Sequence, residues 1–490
     1  MNKPIRTISI FCLLLFLALM LNATYLQYWK AGKLNDDPQN RRVLVASYSR
    51  ERGAILVGNK PVARSVESDD EYKFQRTYPK PMVYAPLTGW FSYYSATGIE
   101  QTRNDVLSGD DSRLFVTKLV DLLSNDPAQG GNVKLTIDPA AQEAAYRGLS
   151  ALGPNVQGSV VALEPNTGKI LAMVSLPTYD PNKLASHDLG AVQDTFDRLN
   201  DDPSQPLLNR AIQTRLPPGS TFKVVTAAAA IDKGLYTAGD DVPGGATYQL
   251  PLTHGPTGLI DNEGRSCGAN GSKIPFTQAM EQSCNTSFAQ LAGQVGAEDM
   301  AKTAEGFGFN SHYFDDLTPQ AESVFPTDID EAQLGQTGFG QFDVSATPLQ
   351  MAMVAAGLAN GGSVMRPYLV DEEQSADLDV IQKTEPQELS QAVSATTASE
   401  VTKLMVSTVD NGTASPAAIP GISVAGKTGT AQTGQTDRSP YAWFISFAPA
   451  DNPEVAVAVM IQNADIPRSE IAGGLLGGPI AKAVMEAVIK

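Results

Sequence analysis

The stretch Ser220–Leu235, STFKVVTAAAAIDKGL, constrains the fold more than any other part of the chain. It lacks a charged face through its middle, and a helix of that kind is buried on all sides. The rest of the chain must therefore enclose it. With 490 residues, 42% hydrophobic and 18% charged, there is material for two or three domains, each with its own core.

A second apolar run, ISIFCLLLFLALML (Ile8 to Leu21), stands near the N-terminus with Lys3 and Arg6 ahead of it. Ala23, Tyr25, Leu26, Tyr28 and Trp29 extend it into an interfacial zone, long enough to cross a bilayer. Positive charge before the run predicts a cytoplasmic N-terminus and an exported remainder. A cleaved signal peptide is the rival reading. No clear small-x-small cleavage site follows, and interfacial aromatics suit a retained anchor, so residues 1–29 are expected to be a cytoplasmic tip and a single-pass transmembrane anchor. No later segment is apolar enough to span again.

The net charge of −17 makes nucleic acid an unlikely partner, because an acidic surface repels phosphate. Cys12 lies in the apolar run, which leaves Cys267 and Cys284 in the soluble part. Those two are either one disulfide, as an oxidising compartment permits, or two free thiols. No Cys-x-x-Cys or His/Cys cluster points to a metal. His187, His254 and His312 sit in polar, loop-like segments without catalytic neighbours, so a serine nucleophile here would not rely on histidine.

Residues 30–155 read as a first exported region, with strand-like pieces at Val43 to Ser47 and Ala54 to Val57 and a helical stretch near Ser112 to Leu123. A helix from Pro139 to Leu152, capped by Asp138, leads into the second region, residues 156–490. That region opens with a hairpin, GSVVALE and KILAMVS about the turn Pro165 to Gly168. Thr347-Pro348 starts a helix over 348–359 and Asn360-Gly361-Gly362 stops it. Strand-like 441–448 and 454–462 are followed by a glycine-rich turn and a final apolar helix to Ile489. The mixture predicts an α+β domain with an antiparallel sheet flanked by helices.

Three short motifs carry the chemistry. Leu216-Pro217-Pro218-Gly219 delivers Ser220 to the first turn of the buried helix, where free N–H groups favour developing negative charge. Lys223, three residues on, shares its face. A serine needs a base, and lysine serves only if desolvation or another cation lowers its pKa. Alone, Ser-x-x-Lys describes a helix-capping serine and a solvated lysine just as well. Ser283-Cys284-Asn285 lies in TQAMEQSCNTSFAQLAG, a stretch of helical character, and taken alone it is weaker still. Lys427-Thr428-Gly429-Thr430-Ala431 follows the strand-like GISVAG. On an edge strand it would suit a carboxylate-terminated peptide lying alongside; otherwise it is a turn at a strand end. Together, in this order, the three motifs resemble the signature shared by penicillin-binding proteins and class A β-lactamases, with Cys284 where β-lactamases commonly carry Asp, a difference the middle position tolerates. Lys427 would also supply the like charge that helps Lys223 lose its proton.

The longer segments SVVALEPNTGKILAMVSLPTYDPN, LLNRAIQTRLPPGSTFK, TGFGQFDVSATPLQMAMVAAGLANGG and DNGTASPAAIPGISVAGKTGTAQ resemble class B, monofunctional penicillin-binding proteins from about residue 40 onward. Arg52-Gly53-Ala54-Ile55 matches the family's non-catalytic N-terminal domain more loosely. The short first region leaves no room for a glycosyltransferase module. The resemblance implies a transpeptidase domain of serine β-lactamase-like fold after a small pedestal or dimerisation-like domain. It also implies a peptidoglycan D,D-transpeptidase that β-lactams acylate, with stem peptides as substrates and no metal or organic cofactor.

By the same resemblance Ser220 attacks, Lys223 takes its proton, and the backbone N–H groups of Ser220 and Thr430 form the oxyanion hole. Ser283 and Asn285 hold the lysine network, while Lys427, Thr428, Gly429 and Thr430 bind the terminal carboxylate. A polytopic membrane glycan polymerase of shape, elongation and division is the partner it suggests. The rivals are a D,D-carboxypeptidase, a serine β-lactamase, and a non-catalytic scaffold or β-lactam sensor. No convincing Glu motif for deacylating water favours a β-lactamase, and the intact Ser220, Lys223, Ser283, Asn285 and Lys427 speak against a dead enzyme. Gly338-Phe339-Gly340-Gln341 lacks both Gly-x-Gly-x-x-Gly and a Walker pattern, so it is read as a loop at the cleft edge rather than a nucleotide site.

Overall fold

In the computed structural model, which describes residues 3–30, 48–114, 129–432 and 439–489, the apolar runs of the second region pair into one sheet. The strands of the two large sheets, in chain order, are β1 (Ile55–Val57), β2 (Lys60–Glu67), β3 (Phe74–Thr77), β4 (Asn132–Leu135), β5 (Gln157–Leu163) and β6 (Ile170–Leu176), then β7 (Val370–Gln374), β8 (Val380–Lys383), β9 (Ala425–Ala431), β10 (Tyr441–Ala448) and β11 (Val455–Asn463). The strand expected at Val43 to Ser47, and the helical stretch beyond Leu114, lie outside the described residues; Ser112–Leu114 forms a 3₁₀ turn.

The central sheet runs β9-β10-β11-β5-β6, with every pair antiparallel. Both faces are covered, which is why its strands read as nearly unbroken apolar runs. Side chains alternate from face to face. Ala456, Ala458 and Met460 of β11 therefore join one core, while Val455, Val457, Val459 and Ile461 join the other. The expected hairpin is β5–β6, with Gly168 at φ +83° in its turn.

The N-terminal apolar segment forms α1 (Lys3–Thr24), continued through Tyr25–Trp29; its mean hydropathy of 2.2 over a wholly exposed window fits a single-pass membrane helix. Six further helices frame the rest: α2 (Pro139–Ser150), α3 (Lys223–Asp232), α4 (Asn285–Val295), α5 (Pro348–Ala359), α6 (Ala395–Asn411) and α7 (Gly473–Val488). Asp138 caps α2 by accepting from the N–H groups of Ala140 and Ala141, and Thr347 caps α5 through Gln350. Helices α2 and α7 cover one face of the central sheet. Helix α5 covers the other, with α3 beyond it against α4 and α6. From Lys223 through Ile231 every residue of α3 is buried, as its composition requires.

The glycine-rich segment expected as a turn before the last helix is instead part of it. Gly473, Gly474, Gly477 and Gly478 are buried within α7. A Cβ on Gly473 would stand 2.0 Å from the Trp443 carbonyl oxygen, and one on Gly477 2.6 Å from Phe444 Cβ. Close approach of helix to sheet, not chain reversal, explains these glycines.

The second sheet runs β8-β7-β4-β1-β2-β3, with β1 and β4 parallel and the other pairs antiparallel. Four of its strands come from the first region and two, β7 and β8, from the second. The two regions thus share a hydrogen-bonded sheet. Below it, Arg52 and Arg76 each donate to the Glu100 carboxylate at 2.6 Å, and Tyr78 donates to the same group at 3.2 Å. Arg52 also stacks on Phe91, 4.2 Å from the ring centre. Relative exposures of 4% for Arg52 and 0% for Glu100 leave no solvent to replace a lost partner. Glu100→Ala is accordingly expected to cost about 3–5 kcal/mol, because it strands two buried guanidinium groups; a fall in the thermal unfolding midpoint checks it.

Candidate active site

Three segments far apart in sequence meet at one end of α3. The prolines ahead of Ser220 bring the chain across a backbone bridge, Leu216 to Ala346, into a 3₁₀ turn (Gly219–Phe222) that runs directly into α3. Ser220 therefore stands in the first turn, whose N–H groups have no carbonyl a turn earlier to bond. Thr221 Oγ1 donates to the Pro218 carbonyl at 2.7 Å and fixes the turn from inside.

The second motif departs from the expected continuous helix. Its stretch breaks into Phe276–Glu281 and α4, and Ser283 sits at the break with φ +56°. A left-handed backbone at serine costs energy that its surroundings must hold. The break places Ser283 Oγ and its carbonyl toward Lys223, instead of spending that carbonyl on the next helical turn.

The third motif is the body of β9, the edge strand of the central sheet, not a turn at its end. Its exposed edge borders Ser220.

At the centre are two buried lysines and one hydroxyl. Lys223 Nζ lies 2.8 Å from the Ser283 carbonyl oxygen, 2.7 Å from Asn285 Oδ1 and 3.2 Å from Ser283 Oγ. Lys427 Nζ donates to Ser283 Oγ at 2.9 Å and to the Thr428 carbonyl at 3.0 Å. Both side chains are fully buried. No carboxylate among the described residues forms an ion pair with either. Burial, then the neighbouring Lys427 and Arg265 charges, hold Lys223 well below the ordinary lysine value. Burial and Arg265 bring Lys427 down to about 7. Two carbonyl-type acceptors use the two N–H bonds of a neutral Lys223 amine, which leaves its lone pair for a proton.

The cleft over this group is lined by Ser220, Ser283, Asn285, Thr428 and Thr430. All three motifs are therefore brought together. Phe339 and Gln341 line it too, so the Gly338–Gln341 segment is at the cleft edge as expected. Glu263, Arg265 and Gln432 complete the lining and were not singled out from sequence. The one trace of them is the cysteine pair: Cys267 and Cys284 are bonded, with Cα atoms 5.8 Å apart, and they tie the 261–267 loop to the second motif. None of the three histidines lines the cleft; His187 pairs with Asp70 and His312 with Asp315. Among the described residues, no group of three or more His, Cys, Asp or Glu side chains could hold a metal ion.

A buried lysine beside a serine at a helix start, with a second lysine on an edge strand, defines a serine acyltransferase that works without histidine. Residues 158–486 match the penicillin-binding protein transpeptidase domain and residues 52–133 the penicillin-binding protein A dimerisation domain, so the chain belongs to the class B penicillin-binding proteins. Over its whole length it is 43% identical to the peptidoglycan D,D-transpeptidase PbpA of Mycolicibacterium smegmatis, covering 99% of that protein. The PbpA of Mycobacterium tuberculosis is likewise 43% identical over 99% of its length. Among solved structures, the ceftriaxone acyl-enzyme of M. tuberculosis penicillin-binding protein A superposes with a TM-score of 0.85 at 42% identity, over 91% of this chain and 100% of that one. Its penicillin G acyl-enzyme gives 0.83 at 42% identity, over 90% and 100%.

Gly340 tests how tightly the serine turn is held. It has φ +73°, its carbonyl accepts from the Gly219 N–H at 3.0 Å, and a Cβ there would lie 2.2 Å from the Gly219 oxygen. Gly340→Ala is expected to shift Ser220 and slow its acylation by about 100-fold. The rate of adduct formation with benzylpenicillin, with circular dichroism as the folding control, checks this.

Proposed function

We propose that Ser220 is the nucleophile of a peptidoglycan D,D-transpeptidase and Lys223 its general base. The observation that carries the reading is the pair of buried lysines, without an ion-pair partner among the described residues, joined through Ser283 beneath a cleft that Ser220 lines. Neutral Lys223 takes the Ser220 hydroxyl proton as Oγ attacks the carbonyl between the two D-alanines of a stem peptide. The backbone N–H groups of Ser220 and Thr430 face the oxygen that gains charge. Ser283, hydrogen-bonded to both lysines, passes the proton to the departing D-alanine nitrogen as its C–N bond breaks. Charged Lys427, with Thr428, Gly429 and Thr430, holds the terminal carboxylate. Asn285 keeps Lys223 in place. An acceptor amine then resolves the acyl-enzyme. A β-lactam, whose ring ends in a carboxylate as the D-Ala-D-Ala terminus does, follows the same first step and remains on Ser220.

The dimerisation-domain match and the anchor helix support a role in wall assembly at the membrane, with a membrane glycan polymerase as partner. The Cys267–Cys284 bond supports an extracytoplasmic, oxidising location for the domain. Residues 30–155 would act as the pedestal and 156–490 as the transpeptidase unit, joined through β7 and β8.

Intact mass of the detergent-solubilised full-length chain, with and without benzylpenicillin, tests the nucleophile. A single stable adduct on the wild type and none on Ser220→Ala is expected. Rapid loss of the adduct with drug turnover would make the protein a β-lactamase, and no adduct on the folded wild type would remove the assignment. The two lysines also set a pH profile. Lys223 works neutral, so acylation slows as pH falls through its lowered pKa. Lys427 works charged, so capture of carboxylate-bearing donors weakens as pH rises past about 7. A bell-shaped second-order acylation rate, measured against pH, is the expected result.

A further inference from the structure

Aminolysis of the acyl-enzyme poses an electrostatic problem in this cleft. An aliphatic acceptor amine arrives at neutral pH as an ammonium ion, and the cleft already carries Arg265 on its wall with Lys427 buried beneath it. Among its described lining residues there is one carboxylate, Glu263. Its side chain is half exposed. Arg265 Nη2 donates to Oε2 at 3.0 Å, while among the described residues Oε1 has a long 3.4 Å contact from Gln432 Nε2, reaching over from the end of the β9 strand.

Glu263 is not on a loose loop. Its backbone lies at φ +52° with its N–H bonded to Asp261 Oδ1 at 2.9 Å. The preceding residue, buried Asn262, accepts from the Thr286 N–H at 3.1 Å and donates to the Gly245 carbonyl at 2.7 Å. Asn285 Nδ2 donates to the Asp261 carbonyl at 3.1 Å, and the disulfide closes the same loop onto Cys284. Three independent ties thus hold the Glu263 backbone against the motif that orients Lys223.

We propose that Glu263 is the docking group for the acceptor ammonium, held in position by Arg265, and so sets the choice between transpeptidation and hydrolysis. The inference rests on the acyl-enzyme reading above. In the step itself the ammonium loses one proton to solvent water in the open cleft, and the nitrogen lone pair attacks the acyl carbon. The C–N amide bond forms, the bond from carbon to Ser220 Oγ breaks, and Oγ recovers a proton from the attacking nitrogen through Lys223. Glu263 does not react; it offsets the repulsion on approach.

The test uses the full-length protein with a thioester of an N-acylated D-alanine as donor. D-alanine is the ammonium acceptor, methanol the uncharged one, and water the common competitor. Glu263→Gln keeps shape and hydrogen-bond acceptance but removes charge. It should still be acylated by benzylpenicillin and show amine-to-water partition lower by about tenfold, the scale of one charge-assisted contact, with methanol-to-water partition unchanged. Glu263→Asp should recover part of the amine partition. Equal loss of both partitions, no change in either, or loss of penicillin acylation in Glu263→Gln alone would overturn the assignment. Failure of the wild type to acylate would instead sink the transpeptidase reading on which it stands.

Discussion

Two lysine side chains share one serine hydroxyl in the interior of this protein, and among the described residues neither has a carboxylate to neutralise it. That arrangement is costly, since each buried charge forfeits its hydration. The fold meets the cost by letting one lysine become neutral and by surrounding both with oriented oxygens: the Ser283 carbonyl, Asn285 Oδ1 and the Thr428 carbonyl. Every larger feature serves this. Helix α3 is apolar and carries Lys223 out of water, the helix breaks before α4 where Ser283 turns its carbonyl inward, and the edge strand β9 brings Lys427 to the Ser283 hydroxyl.

Much of this was legible from residue order. The buried helix, the hairpin, the capped α5 and the three motifs all follow from local patterns that tertiary packing reinforces. What was not legible depended on distant partners. The break at Ser283 has no glycine or proline to announce it; Lys223 contacts its carbonyl and both lysines contact its hydroxyl. The glycines of α7 look like a turn until Trp443 and Phe444 are seen pressed against them. Glu263 and Arg265 are ordinary loop charges in sequence, and only the disulfide and Asn262 bring them to the cleft wall.

The sharing of a sheet between the regions is the other feature that composition could not show. β7 pairs with β4 of the first region, β8 pairs with β7, and together they weld the first region to the enzyme. Arg103 strengthens the same seam with an ion pair to Glu373 at 3.2 Å. A hinge between the first region's sheet strands and the cleft would have to break backbone hydrogen bonds, so the dimerisation-like region and the cleft move as one body. Orientation fixed at one is transmitted to the other.

The strand order of the central sheet also dictates a sequence of events in time. The hairpin β5–β6 finds its neighbour only in β11, and Ser220 finds Lys427 only once β9 has docked on β10. A chain emerging N-terminus first therefore has its nucleophile long before it has the strand that completes the site. Until β9 docks, Lys223 lacks Lys427 as a neighbour and with it one cause of its lowered pKa. The late arrival of β9 and α7 is a built-in delay: reactivity appears with the last strands, when the enclosing fold is already there to govern it.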